Sequence, residues 1–537
     1  MSNTKTLAKG TFWGIVGLFV LKFLAWFYYI ILARMVSQEE IGIFSIALSI
    51  ISIVVLFSDL GLGSGSVGRY IPYYFGKKEF NKLRAALKIS ISVGTIFSIL
   101  CMILVFVFAG SIASFYHNTR LQPVLYLMAF YLLAYNLYNL TTNFLVGRKL
   151  IKLSSYTSSI QGLGKLVFTV ALILLVEPTA ENISLGLIIS YFFAAGIGFL
   201  WLLREYKKIP SSDEKTSNPK MLAEMVPFGL TIVVLSSMYL LNSQFDSIML
   251  GHLLPADINM KMVGVYALVI SLSTIIPVFA SSIGSIFHPL INELWAQENT
   301  DEMKKVSSSY FRWVALLTTP VLVMVLAFSS ELLTVLYGSS YSIGATSFIF
   351  YSLGLFIYSF SYPIQNTLSG MRRLDVTTKI VFSGLVFNII LNLLLIKPYG
   401  IDGSAFASMI SFSIMTVLFL RIRKTTYQEI PKDIHKAFLA GITALVILMA
   451  LKYVTNGFGF SGLDMPSNDI SGDFLRKMLK AAFLLVIAAI TSLIYLVFLI
   501  ILKSFHKEDI EILCGGMRRI KIPETIVCFT SRLLLRE

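Results

Sequence analysis

The sequence predicts an all-α polytopic membrane protein of about 14 transmembrane helices. Three observations predict it. The 537 residues are 56% hydrophobic and only 14% charged, with mean hydropathy +0.78, whereas soluble domains carry about 25% charged residues. Apolar stretches of roughly 20 residues recur along the chain, each able to cross about 30 Å of hydrocarbon as a helix. The series also repeats itself at a spacing of roughly 220 residues.

The expected spans run in order from the N-terminus. The first, 10–34, is too long for a signal-peptide core, and no small-residue cleavage site follows it. The second, 41–67, ends in GLGSG (61–65), glycines that loosen a helix. Then come 88–110, 121–143, 155–176 and 183–203, which complete a first set of six. The polar, basic, Pro/Ser-rich REYKKIPSSDEKTSNPK (204–220) interrupts the series and reads as an interlobe linker. A second set follows at 225–250, 263–290, 311–328, 345–368, 376–396 and 402–421. Two further spans, 434–453 and 479–503, flank the Gly/Ser/Asp-rich loop 455–473. The tail 504–537 mixes apolar and basic residues and reads as an amphipathic segment on the inner leaflet.

The repeat is visible in letters. NFLVGRKL (143–150) matches NTLSGMRRL (366–374), Pro178 matches Pro398, and Ser190 matches Ser411. Six spans return the chain to its starting side, so the two copies share one orientation. The expected organisation is an N-lobe with linker at 1–220 and a C-lobe at 221–430, related by a pseudo-twofold axis along the membrane normal. Two extra helices at 431–503 and the tail 504–537 follow. Paired lobes around one midplane site are a transporter architecture.

Net charge of +15 raises the question of nucleic acid, and the distribution answers it. With the N-terminus in the cytoplasm, 34 of the 44 Lys and Arg fall on the cytoplasmic side, 8 fall outside, and Lys22 and Lys165 lie within spans. This is the positive-inside rule. The basic loops are topogenic, so no nucleic-acid partner is expected. The expected location is the cytoplasmic membrane, with both termini cytoplasmic and membrane lipids as neighbours.

Enzyme motifs are missing. The chain has no DxD, HExxH, GxSxG or CxxC, and its five histidines show no metal-ligand spacing. GLGK (162–165) lacks the upstream glycine (Ser159 stands there) and the Ser or Thr that a phosphate loop needs. Cys101, Cys514 and Cys528 make no disulfide framework. No catalytic residue, metal or cofactor is expected.

Charges inside spans carry the functional signal. Lys22 lies mid-way along the first span and Lys165 ten residues into the fifth. A charge at such depth costs at least about 2.5–3.5 kcal/mol, so it should face a wet cavity or a counter-ion. Asp59 stands before GLGSG, Arg69 follows at the membrane edge, and Asp246 ends the polar string NSQFD (242–246). None is duplicated: Lys22 aligns near Tyr239, Asp59 near Ser281, Asp246 near Tyr29 and Lys165 near Leu385. Two cations in one lobe suit an anionic substrate group such as a phosphate or pyrophosphate. Pairing of Lys22 with Asp59 is the structural alternative. Asn388 and Asn392, four apart on one helix face, are candidates for sugar hydrogen bonds or for interhelical glue. The aromatic runs WFYY (26–29) and YLLAYNLYNL (131–140) suit sugar stacking or interface anchoring.

Four segments carry a family resemblance: KGTFWGIVGLFVLKFLAWFYYIILARMVSQEEIGIFSIA (9–47), FSDLGLGSGSVGRYIPYY (57–74), NSQFDSIMLGHLL (242–254) and NIILNLLLIKPYGIDGSAFASMIS (388–411). Together they resemble the polysaccharide-transporter branch of the multidrug/oligosaccharidyl-lipid/polysaccharide exporter superfamily, the oligosaccharide flippases. The resemblance implies a V-shaped bundle of two six-helix lobes that flips polyprenyl-(pyro)phosphate-linked oligosaccharide outward by alternating access. The helices after residue 430 are similar to those that build a lipid-tail groove in the related lipid II flippase. The cation signature of the drug-exporting branch is not evident, and a sodium ion or proton stays open as coupling ion. Glycosyltransferases or a polymerase of the same pathway are the candidate protein partners. One rival reading is a cation-coupled multidrug exporter on the same fold. A lesser one is a membrane-embedded glycosyltransferase or polymerase, for which loop 455–473 offers three aspartates and no arginine.

Overall fold

The computed structural model describes residues 24–210, 218–454, 470–502 and 504, and every regular element among them is helical. Helices α1 (Leu24–Met35) and α2 (Gln38–Ser58) open the described chain. A π-turn at Leu62–Ser66 leads into α3 (Val67–Gly76). Then follow α4 (Phe80–Phe115), α5 (Leu121–Gly147), α6 (Ile151–Leu175), α7 (Ala180–Lys207), α8 (Asn218–Leu253) and α9 (Asn259–Ser273). The later helices are α10 (Ile275–Ala296), α11 (Thr300–Leu336), α12 (Ala345–Ser359), α13 (Tyr362–Gly370), α14 (Leu374–Arg421), α15 (Ile434–Val454) and α16 (Ile470–Ile501).

Ten described helical segments are long and apolar enough to cross a membrane, and Leu24–Met35 and Val486–Ile501 are shorter apolar helices. The chain is a multi-pass membrane protein. Its apolar residues divide accordingly. On α4 the exposed residues Ile96, Leu100, Ile103, Leu104, Val107 and Phe108 recur every three or four positions and form a lipid-facing stripe. The opposite face buries small residues, among them Ser90, Gly94, Ser98 and Ala109. That lets neighbouring backbones approach, the packing logic of membrane helices.

Several expected spans are bent. The second breaks at Asp59, the eighth parts at Thr274 between α9 and α10, and the tenth parts between α12 and α13. The eleventh and twelfth are run together as the 48-residue α14. A straight helix of that length would measure about 72 Å. Gly400, at φ 58 and ψ −133 two residues after Pro398, is non-helical and divides it. The first span lies partly outside the described residues, as do Lys22, loop 455–473 and the tail beyond Ser504.

Helix packing gives two compact units. One runs to Leu272 and takes in Val381–Ala407; the other takes Ser273–Ile380 and the chain from Ser408 onward. The repeat boundary near 220 is a division by sequence likeness, and this one is a division by contact. In the first unit α7 packs on α5 and α6, and α2 packs on α5 and α8. In the second, α15 and α16 lie on α11, burying Ala315, Val323 and Phe328 with Ala440, Ala444 and Tyr495. Lys452 of α15 pairs with Glu331 and donates to the Ala327 carbonyl (2.9 Å), beside the non-helical Phe328 of α11.

The repeat also shows in the turns. After α5, Lys149 is left-handed (φ 62) and the Leu150 amide donates to the Leu145 carbonyl. After α13, Arg372 is left-handed (φ 59) and the Arg373 amide donates to the Leu368 carbonyl. Lys78 and Glu298 head a second matching pair, with Glu79 donating to Tyr74 and Asn299 to Leu294. All four are Schellman helix ends, closed by a six-to-one bond.

Candidate functional site

Three of the sequence-selected residues converge in the first unit. Asp246 of α8 is 1% exposed. The Tyr266 hydroxyl of α9 donates to its Oδ2 (2.9 Å), and the Asn392 amide of α14 donates to its Oδ1 (2.8 Å). The same Asn392 amide donates to Asn388 Oδ1 (3.0 Å), the four-residue spacing placing both on one face. Asn392 Oδ1 is buried without a hydrogen-bond donor. A hydrogen-bonded carboxylate and an orphaned amide oxygen are therefore buried in one cluster. Two acceptors in one dry place are the chemistry of a cation or proton site. Beside it, Ser49 of α2 donates to Gln244 Oε1 (2.8 Å). Tyr266 is the member that sequence reasoning missed, since nothing distinguishes it among 25 tyrosines.

Lys165 forms the second place. It stands about 15 Å from the nearer end of α6. Its Nζ lies 3.9 Å from the Tyr28 ring centroid and 5.3 Å from that of Tyr29, both on α1. These contacts are cation–π, worth about 2 kcal/mol or more where desolvated. No carboxylate pairs with it among the described residues. The residues Ser154, Ser158, Gln161 and Thr169 share its helical stripe. Gln161 donates to Ser190 of α7 (3.5 Å), and Tyr138 of α5 donates to Ser158 (3.0 Å). Tyr131, Tyr135 and Tyr138 surround the Tyr191 ring at 5.0, 5.7 and 5.1 Å. The run YLLAYNLYNL thus packs into the interior of the unit.

The remaining candidates stand apart from both places. Asp59 accepts from the Gly61 amide with Oδ1 (2.8 Å) and from the Gly63 amide with Oδ2 (3.1 Å). Its carboxylate holds the turn in which Leu60 (φ 50) and Gly61 (φ 68) are left-handed. Arg69 projects from α3 with its guanidinium 4.2 Å from the Phe228 ring. Lys22 lies outside the described residues. Near Arg69, burial and then the Glu224 charge push the Tyr74 hydroxyl up to about 12. Between α5 and α6, burial pulls the Arg148 guanidinium below its usual value, opposed by Glu205.

The polysaccharide biosynthesis protein family model matches residues 7–295, more than half of the chain. The chain belongs to the polysaccharide biosynthesis protein family. The MatE family model also matches, over 227–394, a stretch that holds Asp246, Tyr266, Asn388 and Asn392. A polysaccharide biosynthesis protein in this sense has relatives in archaea. An uncharacterized membrane protein of Methanocaldococcus jannaschii is 23% identical over 472 residues, covering 84% of this chain and 91% of that one. A probable low-salt glycan biosynthesis flippase of Haloferax volcanii is 26% identical over 156 residues, 29% of this chain and 33% of that one. Among solved structures, the lipid II flippase MurJ in an inward closed conformation superposes with TM-score 0.61 at 17% identity, covering 90% of this chain and 97% of that one. The MATE multidrug transporter DinF-BH gives 0.60 at 16%, covering 78% and 95%. These two establish the fold.

Proposed function

We propose that the chain is a flippase, not an enzyme, which moves a polyprenyl-(pyro)phosphate-linked saccharide across the cytoplasmic membrane by alternating access. Family membership and the flippase relatives support the class of cargo. One observation carries the chemistry: Lys165 is deep in a span, on aromatic faces, without a carboxylate partner among the described residues. An ammonium so placed is available to a phosphate oxyanion. Lys22 would supply a second cation on the same lobe. The sugar head would enter from the basic, cytoplasmic face while the polyprenyl tail stays in lipid. The repeated turns support two lobes, 1–220 and 221–430, related by an axis along the membrane normal.

Coupling belongs to the Asp246, Tyr266, Asn388 and Asn392 cluster, which suits a sodium ion or a proton better than a sugar because its acceptors are buried. Glycosyltransferases or a polymerase would supply and consume the cargo. The MatE match favours a second reading, a cation-coupled drug exporter, in which an acid rather than a lysine would dominate the cavity.

Binding separates the two. Purified protein should bind a polyprenyl-diphosphate saccharide, and Lys165→Ala should weaken it about ten- to a hundred-fold, the loss of a charge-assisted contact of roughly 1.5–3 kcal/mol. Unaltered binding by Lys165→Ala would remove the phosphate role.

A further inference from the structure

Helix α2 meets α9 near its first turn, and the bend just after its last turn meets α8; each contact is backbone on backbone. At one end a Cβ added to Gly42 would collide with the Met260 carbonyl, and one added to Gly264 would collide with the Gln38 carbonyl. At the other end a Cβ on Gly61 would collide with the Gly229 carbonyl, and one on Gly229 with that of Leu60. Gly42 lies in the first turns of α2 and Gly61 just beyond its last, and the 21 residues of α2 measure about 31 Å at 1.5 Å per residue. That is close to the hydrocarbon thickness of about 30 Å, so the two seams lie toward opposite membrane faces.

The seams differ in what surrounds them. The Gly42–Gly264 seam joins two helices without internal proline. The Gly61–Gly229 seam gathers the helix-breaking features of this region. Leu60 and Gly61 are left-handed, residues 62–66 form a π-turn, and Pro227 sits two residues before Gly229 within α8. Helices bend at such features. Two side-chain ties cross the seam: Ser66 Oγ donates to the Met225 carbonyl (3.0 Å), and the Tyr70 hydroxyl donates to the Glu224 carbonyl (3.4 Å). At the point of closest approach the seam is glycine against carbonyl, with the Tyr70 and Phe228 rings and these two hydrogen bonds beside it, so few bonds must break for it to part.

We infer that the Gly61–Gly229 seam is a bending gate at the basic face, hinged on Leu60–Ser66 and Pro227, and that the Gly42–Gly264 seam is its counterpart at the opposite face. The inference rests on the transporter reading above. It deepens that reading by naming the backbone contacts that seal each face.

The test reads accessibility and needs no cargo, so its outcome is independent of which substrate moves. Met225→Cys and Met260→Cys, both buried positions, serve as separate reporters in purified protein whose Cys101, Cys514 and Cys528 are replaced by serine. A water-soluble maleimide reports opening. Gly229→Ala should raise labelling of Met225→Cys roughly tenfold or more and leave Met260→Cys protected. Gly42→Ala should do the reverse. Gly68→Ala, where a Cβ meets nothing within 4 Å, should change neither. The proposal is overturned if Gly229→Ala leaves Met225→Cys as protected as Gly68→Ala does. It is equally overturned if Gly229→Ala exposes both reporters together, which would mark general loosening of the fold.

Discussion

Asn392 donates its side-chain amide to the Asp246 carboxylate across 2.8 Å, joining helices whose residues lie 146 apart in sequence. The bond uses the amide and leaves Asn392 Oδ1 without a donor. A buried acceptor of this kind calls for an explanation. A cation bound at Asn392 Oδ1, or a proton on the Asp246 carboxyl with the amide turned so that Oδ1 faces it, supplies one.

Asp246→Asn keeps the side-chain volume and removes the charge. If the cluster couples transport to an ion, wild-type protein should melt at higher temperature as sodium or proton concentration rises, because a ligand of the folded state stabilises it by mass action. The variant should lose that dependence and transport activity together while still inserting. Undiminished transport by Asp246→Asn would exclude the cluster from coupling.

Asp59→Ala removes the acceptor for the Gly61 and Gly63 amides. Each buried amide left unsatisfied costs about 1–3 kcal/mol, so unfolding in detergent should show a loss of that size. Asp59→Asn, which retains one acceptor oxygen, should lose less. Were Asp59 instead the counter-ion of Lys22, the double variant Lys22→Ala/Asp59→Ala would recover the function lost in either single variant. Failure to recover would leave the turn as the role of Asp59.

Much of the fold was legible because spanning a bilayer imposes length and apolarity on each segment separately. The repeat was legible for a related reason: NFLVGRKL and NTLSGMRRL both encode a helix end with one left-handed residue, Lys149 or Arg372. The bends were less so. Asp59 read as a buried charge; its bonds to the Gly61 and Gly63 amides depend on a left-handed pair at 60–61 that no residue pattern specifies. The pair Asn388 and Asn392 was readable from its four-residue spacing. Its convergence on Asp246 and Tyr266 was not, since contacts between distant spans leave no local period. Lys165 stood out by depth alone. That its partners are the faces of Tyr28 and Tyr29 follows from how α1 lies against α6.

The charge distribution predicts the topology. A single cysteine introduced in 204–220 should resist membrane-impermeant labelling from outside intact cells, and one in 455–473 should react. Labelling of 204–220 from outside would overturn the orientation.

Translocation by the purified protein is the decisive measurement. Protein reconstituted in liposomes is given a fluorescent polyprenyl-diphosphate saccharide, and the exposed head group is quenched from one side. Wild-type protein should bring the protected fraction into reach of the quencher. Lys165→Ala should be slower by about ten- to a hundred-fold, and Lys165→Arg should keep part of the rate, since its charge is retained and its shape is not. Wild-type liposomes that leave the protected fraction untouched, yet expel a cationic dye down an imposed sodium or proton gradient, would contradict the flippase account and establish the drug-exporter reading.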